Sequence, residues 1–240
     1  MGAFRALTVA DLRNVQRDSL LKFLIFYPWL LGLAMRFLIP WVAASLAGTF
    51  DLTPYYPLLT GFFGILITPL LAGFVTGFLL LDERDDHTLT ALQVTPLSMN
   101  RYLTYRLLAP VVIAVASTFI VIPLMNLIDV PVLELLPISL VAALGAPIFT
   151  LILATVAGNK VQGFAVMKGL GVFFLAPFAA WFIPEPWQWL IGVFPTYWPA
   201  KAFWVMLDGG NWWAYVGLGL LVNLVWLGVL LRRFNKVVYR

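Results

Sequence analysis

Residues 57–86 read PLLTGFFGILITPLLAGFVTGFLLL-DERDD: an uncharged run from Pro57 to Leu81 stops abruptly at Asp82, Glu83, Arg84, Asp85 and Asp86. A helix needs about 20 apolar residues to cross the hydrocarbon core of a bilayer, and this run exceeds that length. Its Pro69 would break a soluble helix. Bundled membrane helices tolerate such residues because neighbouring groups satisfy the freed carbonyls. The stretch therefore reads as a transmembrane helix that ends in a charged loop.

Five further segments have the same character: Leu20 to Leu46, Leu107 to Ile128, Leu136 to Ala157, Phe164 to Ile183 and Ala214 to Leu231. Short alternating strands, the mark of a membrane barrel, do not occur. The composition agrees. Of 240 residues, 62% are hydrophobic and 11% charged, against about 25% charged in a soluble domain. The mean hydropathy is +0.95. These values exclude an ordinary cytosolic enzyme, a disordered chain and, with no cysteine, a disulfide-stapled module or a thiolate metal site. The expected fold is all-α, a bundle of six transmembrane helices forming a single domain over residues 1–240.

The basic residues set an expected topology. Arg5, Arg13, Arg17 and Lys22 precede or open the first span, and Arg84, Arg101 and Arg106 lie between spans two and three. Lys160 and Lys168 fall between spans four and five or just inside five, and Arg232, Arg233, Lys236 and Arg240 form the tail. Only Arg36 and Lys201 remain for the other side. The positive-inside rule then places both termini in the cytoplasm of a multi-pass protein of the cell membrane. The net charge of +4 is thereby a topology signal, and no nucleic-acid partner is expected. Residues 1–19 alternate Asp11, Arg13, Arg17 and Asp18 with Leu7, Val9, Leu12 and Val15. This spacing fits an amphipathic helix on the inner membrane face and fits a polar leader equally well. It does not fit a cleaved signal peptide, because the apolar run that follows is too long and lacks a small-residue cleavage site.

The loop over residues 82–106 carries the most information. Thr88, Thr90 or Asp86 can cap a short helix, Leu89, Leu92 and Val94 give it an apolar stripe, Pro96 ends it, and Ser98 can cap the third span. An ordinary solvated connection is the plainer alternative. The stretch resembles the cytoplasmic loop of ABC exporter permeases of the type-2 family. That pattern has an acidic-basic-acidic cluster, then Gly-Thr-Leu, apolar residues, Thr-Pro and a Tyr-Leu pair ending in Lys. Here these are Glu83-Arg84-Asp85, Thr88-Leu89, Leu92, Thr95-Pro96 and Tyr102-Leu103. His87 stands where Gly is usual, and Arg106 stands where Lys is usual. Within the family, the wording is similar to that of fluoroquinolone-export permeases.

The resemblance implies a coupling helix between spans two and three that docks on cytoplasmic ABC ATPase subunits through Glu83, Arg84, Thr88, Leu89, Leu92, Thr95 and Pro96. It also implies a second permease, the same or different, and an amphiphilic or hydrophobic drug-like or lipid-like cargo moved outward. The chain has no Gly-Lys pair, hence no P-loop, and one histidine, hence no His-His metal pair. The expectation is a chain without catalytic residues, cofactor or metal that borrows ATP hydrolysis from its partner.

Residues 184–213 are rich in aromatics, among them Trp187, Trp189, Tyr197, Trp198 and Trp204, and are broken by Pro184, Pro186, Pro195 and Pro199. An interfacial belt in contact with membrane lipid accounts for them. The family resemblance implies instead a pair of short re-entrant helices that shape the cargo exit. Arg36 lies beyond the middle of the first span, about 21 Å along the helix from Lys22. It is expected to snorkel outward, with Asp51 as its partner, or to form an intramembrane polar site. Asn126 and Asn223 are expected to join helices through hydrogen bonds, while Gly73 and Gly77 match a close-packing spacing that carries little weight alone. Every Asp and Glu lies outside the spans or at their edges, which disfavours an ion-coupled secondary carrier. An ion-coupled secondary carrier or channel, and a non-transporting membrane assembly subunit, nevertheless remain as alternatives.

Overall fold

The computed structural model describes residues 2–86 and 99–238. These residues are helical with no strand, and six helical stretches are long and apolar enough to cross a membrane: Ser19–Leu46, Thr53–Asp85, Arg101–Met125, Val132–Val156, Lys160–Ala180 and Trp213–Lys236. They match the six expected segments within a few residues. A separate helix, Gly2–Arg17, precedes them. It breaks at Asp18, whose extended backbone and carboxylate cap the first span by accepting from the amides of Leu20 and Leu21.

Spans two and four form the centre. Of their most apolar windows, 89% and 72% is buried, against 33% or less in each of the others. Their contact depends on glycine. A Cβ on Gly73 would stand 2.5 Å from the carbonyl oxygen of Ala146 and 2.9 Å from Cβ of Phe149. Thr150 Oγ1 donates to the Gly73 carbonyl at 3.0 Å. Small residues allow backbones to approach in this way where no hydrophobic effect draws helices together. Phe149, fully buried, gathers Phe74, Phe173 and Phe174 around this contact. Between spans two and three, Thr68 and Thr118 share a buried hydroxyl bond of 2.8 Å.

Prolines account for the irregular stretches of spans two and four. Span two begins with a tight turn, Thr53–Tyr55, and a helical turn, Tyr56–Thr60, then widens into a π-turn over Gly61–Leu66. The widened turn includes Ile65, whose carbonyl the ring of Pro69 would meet in a regular α-helix. Span four divides at Leu144 into Val132–Ala143 and Gly145–Val156, with Pro147 placed to disturb the carbonyl of Ala143 in the same way. Span five is two pieces, Lys160–Gly169 and Val172–Ala180, separated at Leu170 and Gly171, where the sequence predicts one continuous helix to Ile183.

Two expectations about polar residues are corrected. Asp51 does not pair with Arg36; its carboxylate accepts from the amide of Thr53 at 2.9 Å. That local turn is worth more to a solvated carboxylate than a distant cation. Hydrogen bonding to Thr53 holds the Asp51 carboxyl below its usual range. Asn223 is buried, but its amide donates to the Gly219 carbonyl of its own helix rather than to a neighbouring span. Asn126 ends the third span with φ of 47°, a left-handed conformation that Asn tolerates better than most residues.

Candidate functional site

The residues that open the loop after span two are turned into the protein. Asp82, Glu83 and Arg84 follow one another on the last turn of the helix Ile67–Asp85. Successive side chains on a helix point about 100° apart, so each reaches a different neighbour. Asp82 accepts from Lys160 Nζ at 3.0 Å, at the start of span five. Glu83 accepts from the Tyr102 hydroxyl and from Arg106 Nη2, both on span three. Arg84 donates to the carbonyls of Ala154 and Ala157 at 3.3 and 2.6 Å. It thereby caps the end of span four, where unsatisfied carbonyls favour a cation.

Arg106 is the hub of the first junction. Its side chain is 2% exposed. Nη1 lies 2.7 Å from Asp11 Oδ2 and Nε 3.1 Å from the Tyr102 hydroxyl. The guanidinium sits over the rings of Tyr102 and Tyr105 at 5.3 and 5.7 Å, a cation–π arrangement. Tyr105 donates to the same Asp11 oxygen at 2.9 Å. The fork of an arginine serves two carboxylates and a phenol at once. The second junction is centred on Lys160, which also holds Asp18 Oδ2 at 2.6 Å. Burial raises the Asp18 carboxyl, but the bond from Lys160 and those from the amides of Leu21 and Leu20 outweigh it, and its pKa lies below the usual value.

The two junctions bind the N-terminal helix, the ends of spans two and four, and the starts of spans one, three and five into one end of the bundle. Of the residues expected to contact an ATPase, Glu83 and Arg84 are members of this assembly. Thr88, Leu89, Leu92, Thr95 and Pro96 lie outside the described residues. The sequence did not reveal the Asp11–Arg106 and Asp18–Lys160 pairs, because no local spacing links residues so far apart. The only available signal was acidic residues on the N-terminal helix and basic residues on the loops.

At the opposite end, residues 184–213 form two short helices, a 3-10 helix, Trp187–Val193, and an α-helix, Tyr197–Leu207. The helix packs into the bundle, with Tyr197, Trp198, Phe203 and Trp204 buried. Trp198 Nε1 donates to the Gly192 carbonyl at 2.7 Å, and the Tyr197 hydroxyl to Gln188 at 3.2 Å. Lys201 is drawn in beside Tyr215 and paired with Glu185 at 2.6 Å. Trp187 and Trp189 remain exposed. Trp204 stacks edge-on against Trp181 at 4.9 Å, and its indole nitrogen abuts Gly61 of the π-turn. Trp204 Nε1 and the neighbouring Thr60 hydroxyl are buried without hydrogen-bond partners. Arg36 is exposed on the first span. Among the described residues no group of His, Cys, Asp and Glu is arranged to hold a metal ion.

A family model described as "Fluoroquinolones export permease protein Rv2686c-like" matches residues 11–231. The chain belongs to this family. The match begins at Asp11, so it takes in both junctions and the aromatic segment. Two similar proteins come from Mycobacterium tuberculosis, strains H37Rv and CDC 1551 / Oshkosh: the fluoroquinolones export permease proteins Rv2686c and MT2760. Each is 40% identical over 234 residues, covering 94% of this chain and 91% of the relative. Together with six membrane-length helices, membership makes the chain a multi-pass membrane permease of an exporter family.

Proposed function

We propose that the protein is the membrane-spanning subunit of an ATP-driven ABC exporter. In this reading residues 1–240 form one permease domain with both termini in the cytoplasm of the cell membrane. Two permeases, the same or different, work with two ABC ATPase subunits, and ATP is bound by those partners. The cargo is an amphiphilic or hydrophobic drug, fluoroquinolones included by the names of the relatives. It leaves from the cytoplasm or inner leaflet.

The observation that carries the coupling is the anchoring of the loop. Its two ends are held together by Glu83, Tyr102 and Arg106, and through Asp11, Asp18, Arg84 and Lys160 to four other elements. A push delivered to residues 87–98 by an ATPase would reach most of the bundle through short ionic bonds. Thr88, Leu89, Leu92, Thr95 and Pro96 form the docking surface, while Glu83 and Arg84 fix its orientation. At the other end, Trp204 packs edge-on against Trp181 and keeps a buried indole donor without a partner, which suits a planar cargo carrying acceptor oxygens. Co-purification with an ABC ATPase subunit tests the reading. Binding is expected in the wild type and lost on changing Leu89→Asp with Leu92→Asp; undiminished binding would refute the docking surface.

A further inference from the structure

We propose that Lys168 is the counter-ion for a carboxylate on the cargo, set on a face of span five that borders a water-lined path rather than lipid. The proposal rests on the drug-export reading and adds to it the residue that meets the drug's charge.

Lys168 stands in the last turn of the helix Lys160–Gly169. Span five, Lys160–Ala180, has 21 residues. That is about 30 Å at 1.5 Å per residue, no longer than the hydrocarbon core it must cross. Asp18 and Asp82 fix Lys160 at the inner end, and Lys168 lies about 12 Å deeper. Gly163 packs on Phe78 and Leu81 of span two. Lys168 is about 140° around the helix from it, turned away from the bundle and exposed. Among the described residues it has no carboxylate partner. The last carbonyls of its helix favour a cation here. They do not account for one that faces outward at this depth, where contact with lipid is costly for a charge. Snorkelling on a four-carbon stem recovers about half of the depth.

The backbone beside Lys168 carries a second sign. The span is interrupted at Leu170 and Gly171, and both Gly169 and Gly171 are exposed. Irregular backbone at membrane depth is tolerated where protein covers it or where it lines a water-filled space. The π-turn of span two and the division of span four are covered: Gly61, Gly64 and Gly145 are buried. The break in span five has no such cover from its own bundle. A second copy of the chain packed on it would bring no counter-charge, because every Asp and Glu lies outside the spans or at their edges. A path between two permeases brings water to the break and to Lys168, and an amphiphile with a carboxylate brings the charge. Fluoroquinolones have this chemistry, a fused aromatic ring system that bears a carboxylate.

Cysteine labelling in permeabilised cells tests the assignment, in a chain with no cysteine of its own. Val172→Cys, one turn beyond Lys168, is expected to react with a charged, membrane-impermeant thiosulfonate. Val225→Cys, on the exposed side of span six, is expected not to react. Ciprofloxacin should protect Val172→Cys at roughly a tenth or less of the concentration that its methyl ester requires, the factor set by one hydrogen bond between charged groups. That difference should vanish when Lys168→Gln is added and persist when Lys168→Arg is added. Membrane levels of each variant confirm assembly. A Val172→Cys that reacts no faster than Val225→Cys would place the face against lipid and overturn the proposal. Disulfide-linked dimers of Val172→Cys without labelling would make the face a dry contact between copies and overturn it too. Equal protection by acid and ester, none included, or a difference that survives Lys168→Gln, would remove Lys168 as the counter-ion. Transport that needs no ATPase would refute the exporter reading and leave this labelling pattern unchanged.

Discussion

Arg106 Nη1 lies 2.7 Å from Asp11 Oδ2, across 95 residues of chain. The same guanidinium holds Glu83, so the N-terminal helix and both ends of the loop over residues 87–98 meet at one nearly buried cation. Arg106→Met leaves two carboxylates in the protein without their counter-charge. Removing one partner of a buried ion pair costs about 3–5 kcal/mol, and a loss near the lower end is expected in chemical unfolding in micelles. Adding Asp11→Leu and Glu83→Leu should recover much of it. A single variant within about 1 kcal/mol of the wild type would show that the junction is not structural.

The approach of spans two and four is expected to be the most sensitive packing contact. Gly73→Val places side-chain atoms where the Ala146 carbonyl stands 2.5 Å from an ideal Cβ. Overpacking of this kind costs about 1–3 kcal/mol, or more against rigid backbone. Gly48→Ala and Gly217→Ala, where a Cβ meets nothing within 4 Å, should not lower the melting temperature in the same micelles.

Six spans and their limits were legible because length and apolarity alone determine them. Their internal shape was less so. Pro69 and Pro147 are visible in the sequence, but whether a proline kinks, widens or divides a helix depends on what packs beside it. The glycine spacing at Gly73 and Gly77 is too common in membrane helices to carry weight until Ala146, Phe149 and Leu153 are placed against it. At the loop, the charged run pointed to the right end of the molecule. The roles of Glu83 and Arg84 depend on Arg106, Tyr102 and the carbonyls of Ala154 and Ala157, which no local pattern brings to them. Lys201 reads as an outer-loop charge in the sequence, and only the fold of residues 184–213 shows that it is drawn inward.

Acid should loosen the second junction. The Asp18 carboxyl has its pKa lowered from 3.8, so its ionised form is favoured in the folded state. The stability it contributes is present above the unfolded value and lost as pH falls below about 3.8 through the folded one. Asp18→Asn should therefore be less stable than the wild type at neutral pH. The difference should shrink to nothing in acid below that range. A difference that persists unchanged at low pH would assign the effect of Asp18 to helix capping without charge.

Labelling distinguishes the packed helix Tyr197–Leu207 from a solvated loop. The Lys201 side chain is 13% exposed and that of Glu185 53%. In a cell-surface assay with a membrane-impermeant maleimide, Glu185→Cys should react readily and Lys201→Cys far more slowly. Equal, complete labelling at both positions would contradict the packing of the outer segment.

The account depends most on energy entering through an ATPase at the loop. The direct measurement is uptake of a fluorescent fluoroquinolone into inverted membrane vesicles holding the permease and its ABC ATPase subunit. Uptake should require ATP and both subunits, survive collapse of the proton gradient, and fall to background when Leu89 and Leu92 are changed to Asp. Uptake that proceeds without the ATPase, or that follows the proton gradient, would make the protein a secondary carrier and contradict the account.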